Sequence, residues 1–430
     1  MTGLVFVASL AALPLVGYPF ARLRVFATLT PAARWGLASA AGPLALCVEM
    51  VLATVLHVRW SAPLLLLPPA AALALPGDWR FRRPARPEGG PTLALSAMAA
   101  ILAVVAYAAV TARATAADFV LFWGAKGQRF AQARAIDVDF LRDPLHSLIH
   151  PDYPPLVPCL YAWGSLVAGR FAWNAALLSF PLFVAFTALT LYGFATPRVG
   201  RRVAAEYACL LAVLLGLLGL TNMIGGDAEP ELFLFEVLAL SALIFAGGTA
   251  AGLAAAAMAL AGAVLTKIEG TVFAALVAAA YAAFGSGYGT PGRRVRAAAI
   301  LGLPPAVALG SWLLFCERHG LLDIYRLGKR TTLSFAELPV IARELVREDL
   351  FGVRLAPVAV VAALLLYRRP SREAVFPLAV AAGFCAFIVY MYLTGSGDPT
   401  HWIQWSAARL SMTPLICAFL AAIRRPSEAT

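Results

Sequence analysis

The chain of 430 residues is 61% hydrophobic and 13% charged, whereas a soluble domain carries about 25% charged residues. This composition excludes an ordinary soluble enzyme and predicts an all-α, polytopic integral membrane protein. The formal net charge of +11 would suggest nucleic acid in a soluble chain, but here we assign it to loop arginines that set membrane orientation, and we expect no nucleic-acid partner.

Apolar segments dominate the chain from its first residues. A membrane span needs about 20 apolar residues, and the sequence predicts about thirteen spans. The first, Leu4 to Phe20, has no preceding basic residues, so we interpret it as a span and not as a cleaved signal peptide. The spans are 3–20, 36–57, 62–76, 94–112, 172–194, 203–222, 231–248, 251–266, 270–285, 297–316, 353–367, 374–394 and 408–423. The six cysteines are scattered through these segments without a CxxC motif, which predicts free thiols.

Arginines recur in alternate loops, and the positive-inside rule uses them to predict orientation. They are Arg22, Arg24, Arg34, Arg80, Arg82, Arg83, Arg86, Arg198, Arg201, Arg202, Arg293, Arg294, Arg296, Arg368, Arg369, Arg372, Arg424 and Arg425. All of these loops fall on one side if the short apolar run 156–169 is re-entrant or interfacial. We therefore predict a multi-pass protein of a cell membrane, such as the bacterial inner membrane, with its N-terminus outside and its C-terminus cytoplasmic.

The same assignment places nearly every unusual polar cluster on the outer face. The clusters are Asp118 to Tyr153, GGDAEPE at 225–231, TKIEG at 266–270, residues 317–352, and GSGDPTHWIQW at 395–405. Within 317–352, FAELPVIARELVRED has helical spacing of apolar and charged residues, which predicts a short amphipathic helix. An ordinary solvated helix is the alternative. No internal repeat supports an inverted-repeat transporter.

The first outer segment begins with an acid beside aromatic residues. Asp118 precedes Phe119, Phe122 and Trp123, which remove it partly from water and suit it to general-base catalysis. A helix cap or a solvated loop acid is the alternative interpretation. Lys126 lies near the aromatic face at helical spacing, where it could bind a lipid phosphate or reach the headgroups without selectivity.

The end of this segment carries further polar candidates. His150, Asp152 and Tyr153 precede Pro154-Pro155, and the two prolines alone explain a stop before a helix. Asp137-x-Asp139 matches a DxD motif for a divalent metal, but His146, His150 and Asp152 lack regular ligand spacing. We predict no metal site and no cofactor, with a divalent metal as the alternative.

Three later outer segments carry charges of both signs. Asp227, Glu229 and Glu231 open a span, where acids also serve as helix caps. Lys267 and Glu269 share a tight turn and could neutralise each other. Arg409 opens the last span on the outer face. Because an outer arginine opposes the positive-inside trend, it indicates an anionic partner.

The order of these motifs is more specific than any one of them. WGAK follows the first acid, and HPDYPPL, GGDAEPELFLF, LTKIEG and SAARLSMTP come next. This order resembles the GT-C superfamily of polytopic glycosyltransferases, which includes relatives of the protein O-mannosyltransferases and the aminoarabinose lipid A transferase. The resemblance covers about 95–425. It divides the chain into N-terminal transmembrane helices at 1–93 and a catalytic module at 94–425, with the outer catalytic loop at 113–155.

The resemblance implies roles for individual residues. Asp118 would be the catalytic base, supported by the acids Asp227, Glu229 and Asp152. The lipid phosphate or donor would be bound by Lys126, Arg409, Lys267, His150 and Tyr153. Two features depart from the family pattern: Phe119 stands where a second acid is common, and Ala408 stands where an acid often precedes the arginine.

The implied activity is inverting transfer of a sugar from a polyprenyl-phosphate donor to a hydroxyl of a lipid, glycan or protein acceptor, with membrane lipid around the site. One alternative is a transporter or flippase of a lipid-linked or anionic solute, which would place its charges at mid-membrane. A further alternative is a surface polysaccharide polymerase or ligase with a diphosphate donor. The acid-led first loop favours the transferase.

Overall fold

The computed structural model describes residues 1–77, 92–112, 118–143, 145, 149–222, 226–285, 290–322, 334–350, 355–367, 374–394 and 398–423. Its helices are α1 Thr2–Ala11, α2 Leu13–Ala21, α3 Pro31–Val55, α4 Ala62–Ala72, α5 Thr92–Ala112, α6 Gly124–Ala133, α7 Val138–Arg142, α8 Leu156–Ala168, α9 Trp173–Ala176, α10 Ser179–Val199, α11 Arg201–Asn222, α12 Glu229–Phe245, α13 Ala250–Thr266, α14 Ile268–Phe284, α15 Pro291–Arg318, α16 Leu338–Leu350, α17 Leu355–Tyr367, α18 Val375–Thr394, α19 Pro399–Leu410 and α20 Met412–Ala421. Within these residues, strand-like pairing is limited to one bridge between Leu23 and Gly77. The all-α prediction is confirmed for this part of the chain.

Among the described residues, six helical segments are long and apolar enough to cross a membrane. They are Thr2–Ala21, Pro31–Val55, Leu93–Thr111, Trp173–Val199, Pro291–Arg318 and Val375–Thr394. Other predicted spans form shorter apolar helices, such as α13 and α14 with 17 residues each, which rise about 25 Å. The chain is thus a helical protein with several candidate membrane spans, and the figure of about thirteen crossings stays a prediction.

Several of the predicted loops fall outside the described residues. These are the arginine-bearing loops around 80–88 and 368–372 and the C-terminal arginines, and His146 of the first outer segment also lies outside the described residues. The orientation of the two termini therefore stays a prediction. All six cysteines are free, as the sequence predicted.

Helix α12 lies at the centre of the bundle. Every residue from Glu229 to Leu243 is buried, and the helix packs against α10, α13 and α20. A helix that is apolar on all sides is buried by its neighbours. The carboxylates that α12 carries are consequently held inside the protein.

The polar segment that follows α5 folds against the bundle through close helix contacts. It begins with a π-helical turn, Asp118–Trp123, which runs directly into α6. Two glycines let α6 approach its neighbours: a Cβ at Gly124 would lie 2.7 Å from the Trp173 ring, and one at Gly127 would lie 2.5 Å from Tyr161 Cβ. The WGAKG sequence therefore packs this segment tightly onto α8 and α9.

Helix α8 contains the apolar run on which the predicted topology depends. It has 13 residues and rises about 20 Å, which is less than the roughly 30 Å of a hydrocarbon core. Its residues from Leu156 to Ser165 are buried, and it packs against α1, α3 and α6. Whether this helix re-enters the membrane or lies at its interface stays a prediction. It also joins the N-terminal helices to the rest of the protein.

Two of the segments predicted to lie on the outer face form short helices that pack against each other, α16 and α19. Helix α16 confirms the helix predicted within 317–352. The span predicted at 408–423 is instead divided at Ser411, so that Arg409 lies in the last turn of α19. Pro414 explains the break, because it cannot donate the backbone hydrogen bond that would continue α19 into α20.

Candidate functional site

Arg409 brings together carboxylates from two distant segments of the chain. Its Nη1 donates to Asp118 Oδ2 at 2.6 Å. The same nitrogen lies 3.7 Å from Asp227 Oδ1, and Nε lies 3.6 Å from Glu229 Oε1. Arginine suits this position because its planar fork can contact several carboxylates at once. Three residues that sequence analysis assigned to one membrane face therefore share a single guanidinium.

Lys267 extends this group from the turn between α13 and α14. Its extended backbone, with φ −157° and ψ 158°, separates the two helices. Its Nζ donates to Glu229 Oε1 at 2.6 Å and lies 3.2 Å from Glu269 Oε1. Lys267 therefore does more than neutralise its neighbour in the turn, because its shorter contact crosses to α12. We call Asp118, Asp227, Glu229, Lys267, Glu269 and Arg409 the Arg409 cluster.

The buried charges of the Arg409 cluster perturb one another. Burial alone would lower the pKa of Lys267, but the carboxylates of Glu229 and Glu269 raise it above its usual value. Burial, followed by the charge of Glu229, raises the pKa of Asp227 to about 8 against the opposing effect of Arg409. Burial also acts to raise the pKa of Glu229, yet Lys267 and Arg409 lower it below its usual value. These opposite shifts favour the ionised form of Glu229 and the protonated form of Asp227.

The raised pKa of Asp227 makes the free energy of unfolding depend on pH. An unfolded aspartate titrates near about pH 4, whereas folded Asp227 holds its proton up to a pKa of about 8. The folded state binds the extra proton between these values, so this contribution to stability is lost as pH rises. We expect the Tm of the wild-type protein to fall relative to that of Asp227→Asn between about pH 5 and pH 8. Thermal unfolding in detergent measures this difference, and parallel curves would contradict it.

Asp118 differs from the other acids around Arg409 in its accessibility. Its side chain is 43% exposed, against 5% for Asp227 and 3% for Glu229. A substrate hydroxyl can therefore approach Asp118 while Arg409 fixes the direction of its carboxylate. A base needs both properties, because it must be within hydrogen-bonding reach of the proton that it removes.

Lys126 lies in a second, adjacent group with His150 and Phe122. It is buried, its Nζ donates to the His150 carbonyl at 2.7 Å, and it lies 4.2 Å from the centre of the Phe122 ring. Burial lowers the pKa of Lys126 to about 7, and the charge of Asp152 opposes this shift. Its role as a phosphate ligand stays a prediction.

Tyr153 lies between the two groups. Its ring packs edge-to-face against Phe122 and Trp123, at centroid distances of 4.9 and 5.7 Å. Burial and then the charge of Glu269 raise the pKa of Tyr153, so its phenol stays protonated. Asp152 is fully buried beside it, and its carbonyl accepts a hydrogen bond from Trp312 Nε1 at 2.9 Å. The hydrogen bond from Trp312 thus holds the backbone next to Tyr153 in place.

Sequence analysis missed one pair of side chains deeper in the bundle. Glu236 is two turns beyond Glu229 on α12, and its Oε1 accepts a hydrogen bond from the Thr413 hydroxyl at 2.8 Å. Glu231, on the same helix, is also buried. The available signal was an acid inside an apolar helix, which marks a functional position in membrane proteins.

The DxD motif is used for local structure. Asp137 Oδ1 accepts the Phe140 amide as the cap of α7, and Oδ2 accepts a hydrogen bond from Arg129 at 2.9 Å. Among the described residues, no three His, Cys, Asp or Glu side chains are grouped so that they could hold a metal ion. A helix cap therefore accounts for Asp137, and the divalent metal stays the alternative interpretation of the motif.

No protein-family model matches the chain, and neither a curated protein nor a solved structure matches it. The resemblance to GT-C transferases stays a prediction from the motifs. The geometry of the Arg409 cluster is accordingly the basis for any functional proposal.

Proposed function

We propose that this protein is a polytopic membrane glycosyltransferase of the GT-C type. It would move a sugar from a polyprenyl-phosphate donor to an acceptor hydroxyl at the outer face, with inversion at the anomeric carbon. The single observation that supports this most is the accessible Asp118 carboxylate, held by Arg409 at 2.6 Å beside buried acids. This arrangement pairs a base with a cation that suits a phosphate.

The reaction uses these residues in order. Asp118 takes the proton of the acceptor hydroxyl, whose oxygen forms a bond to the anomeric carbon. The bond between that carbon and the phosphate oxygen breaks on the opposite face, and the electron pair leaves with the lipid phosphate. Arg409, whose side chain is 20% exposed, stabilises the leaving phosphate by a charge-assisted hydrogen bond. Glu229 contacts Arg409 from the buried side, and Lys267 in turn holds Glu229.

This proposal places the Arg409 cluster at the outer membrane surface. The predicted orientation, with about thirteen spans and the outer loop 113–155, puts all four contributing segments on that side. The described contacts agree with this arrangement, because Asp118, Asp227, Lys267 and Arg409 all lie at or beyond the ends of helices.

A donor assay tests the proposal. Purified protein in lipid nanodiscs is incubated with membrane-extract acceptors and with either a labelled polyprenyl-phosphate sugar or the matched polyprenyl-diphosphate sugar. Release of the free lipid carrier is measured, as polyprenyl phosphate from the first donor and as polyprenyl diphosphate from the second. We expect release from the monophosphate donor and none from the matched diphosphate donor. Release from the diphosphate donor alone would indicate the polymerase or ligase instead.

One observation favours a transporter or flippase as a second candidate function. Glu236 is buried well inside α12 and accepts a hydrogen bond from Thr413 on α20. Charged or polar pairs inside a membrane bundle are typical of substrate and ion pathways. Movement of labelled lipid-linked sugar across proteoliposomes, without cleavage of its phosphate bond, would identify this function.

A further inference from the structure

The residues next to the two aspartates on Arg409 pack directly against each other. Phe119 follows Asp118, and Gly226 precedes Asp227. Phe119 is fully buried, and a Cβ added at Gly226 would lie 2.3 Å from its ring. Gly226 also has φ +87°, a conformation that other residues adopt only with strain. Position 226 therefore requires glycine for two independent reasons.

Other residues close around the Phe119 ring. Tyr161 meets it edge-to-face at 5.5 Å, and Trp173 does so at 5.3 Å. A Cβ at Gly124 would lie 2.9 Å from the ring. The Tyr161 hydroxyl donates to the Gly226 carbonyl at 3.3 Å, so it fixes the backbone that carries Asp227. We call Gly124, Tyr161, Trp173 and Gly226 the Phe119 socket.

Two sets of contacts connect Asp118 with Asp227, one through Arg409 and one through the Phe119 socket. Asp118 and Asp227 both approach Nη1 of Arg409, at 2.6 and 3.7 Å, and their chain neighbours meet in the Phe119 socket. Arg409 alone could rotate with either carboxylate, because its side chain is flexible. The packing of the Phe119 ring against the Gly226 backbone provides the rigid connection between the two aspartates. A fixed geometry matters because a displacement of about 1 Å can lower a rate by roughly 100-fold.

We propose that the Phe119 socket is a positioning device that holds Asp118 in register with Asp227 around Arg409. Gly226, Phe119 and Tyr161 are positioning residues in this arrangement. The proposal rests on the transferase function for its kinetic consequence. Its geometric consequence does not depend on that function.

The kinetic test uses Gly226→Ala, with Gly164→Ala as the matched control. A Cβ at Gly164 would lie 2.7 Å from the Phe6 ring, so both changes press a methyl group onto a buried phenylalanine. We expect Gly226→Ala to lower kcat by about 10- to 100-fold with little change in KM for the donor, and Gly164→Ala to leave kcat unchanged. Asp118→Glu, whose side chain is longer, should cost less in the Gly226→Ala background than in the wild type. Equal kcat losses in the two glycine variants would overturn the proposal.

A second measurement needs no activity. The shift in Tm caused by Asp118→Asn is measured in the wild type, in Gly226→Ala and in Gly164→Ala. Non-additive shifts identify residues that are coupled in one structure. We expect the shift to shrink by at least about half in Gly226→Ala and to persist in Gly164→Ala. Equal shifts in all three backgrounds would overturn the proposal even if the donor assay succeeds.

Tyr161→Phe repeats the comparison if Gly226→Ala does not fold. It removes the hydroxyl that donates to Gly226 and keeps the ring against Phe119. Ser179→Ala is its control, because Ser179 Oγ is the other partner of that hydroxyl, at 3.4 Å. We expect kcat to fall in Tyr161→Phe and not in Ser179→Ala. The same loss in both variants would count against positioning through Gly226.

Discussion

Asp118→Asn is expected to lower the rate of sugar transfer by about 100- to 10,000-fold, which is the range for loss of a general base. The asparagine amide has nearly the same shape as the carboxylate but cannot accept the hydroxyl proton. Contact with Arg409 is weakened but not sterically blocked, so expression and membrane insertion should be preserved. Single-turnover release of polyprenyl phosphate from labelled donor measures the effect.

Asp139→Asn is the matched control for this change. Asp139 is an exposed acid on α7, in the same polar segment that follows α5. We expect it to retain the wild-type rate. Wild-type turnover in Asp118→Asn would remove Asp118 from the role of base, whereas inactivity of Asp139→Asn would restore the metal-binding interpretation of the DxD motif.

Lys267→Met is expected to reduce the free energy of unfolding by about 3–5 kcal/mol, the usual cost of removing one partner from a buried ion pair. Glu229 would keep its charge in a buried position and lose its 2.6 Å contact. Arg409 would then be the remaining cation of the Arg409 cluster. Thermal unfolding in detergent, monitored through the loss of native tryptophan fluorescence, measures the change.

Two further variants define this result. Adding Glu229→Gln to Lys267→Met removes the unpaired charge, so we expect it to recover part of the lost stability. Arg202→Met breaks an exposed pair with Glu206 at 3.0 Å and should change stability by less than about 1 kcal/mol. A similar loss from both single variants would show that burial does not determine the cost.

Much of the fold can be predicted from the sequence, because the length of each apolar segment and the polar residues that separate the segments are local properties. The helical bundle, the amphipathic helix α16 and the free cysteines were all predicted. The division at Ser411 was not, although Pro414 was visible, because a proline in the first turn of a helix is also compatible with an unbroken start. The boundary between two helices depends on whether a new helix starts at such a proline or the preceding helix continues through it.

The composition of the site was predictable only in part. Orientation rules predicted that Asp118, Asp227, Lys267 and Arg409 share one face, and the structure brings these residues together. The rules could not specify partners, because helical periodicity gives the direction of a side chain and not the neighbouring helix that it meets. The bond from Lys267 to Glu229 and the enclosure of Lys126 by His150 both depend on that packing.

Because Asp118–Trp123 is a π-helical turn, the number of residues in this segment determines the direction of Asp118. A π turn closes hydrogen bonds from residue i to i+5 and so holds one more residue than an α turn. Deleting one residue within 119–122 would allow an ordinary α turn while Gly127 still anchored α6 on Tyr161. Because an α turn holds one residue fewer, Asp118 would then keep its direction toward Arg409. Loss of a second residue would rotate Asp118 by about 100° around the helix axis, away from Arg409. Among homologous chains, a turn shorter by one residue should therefore be compatible with the site, whereas a turn shorter by two should mark its loss even where every charged residue is retained.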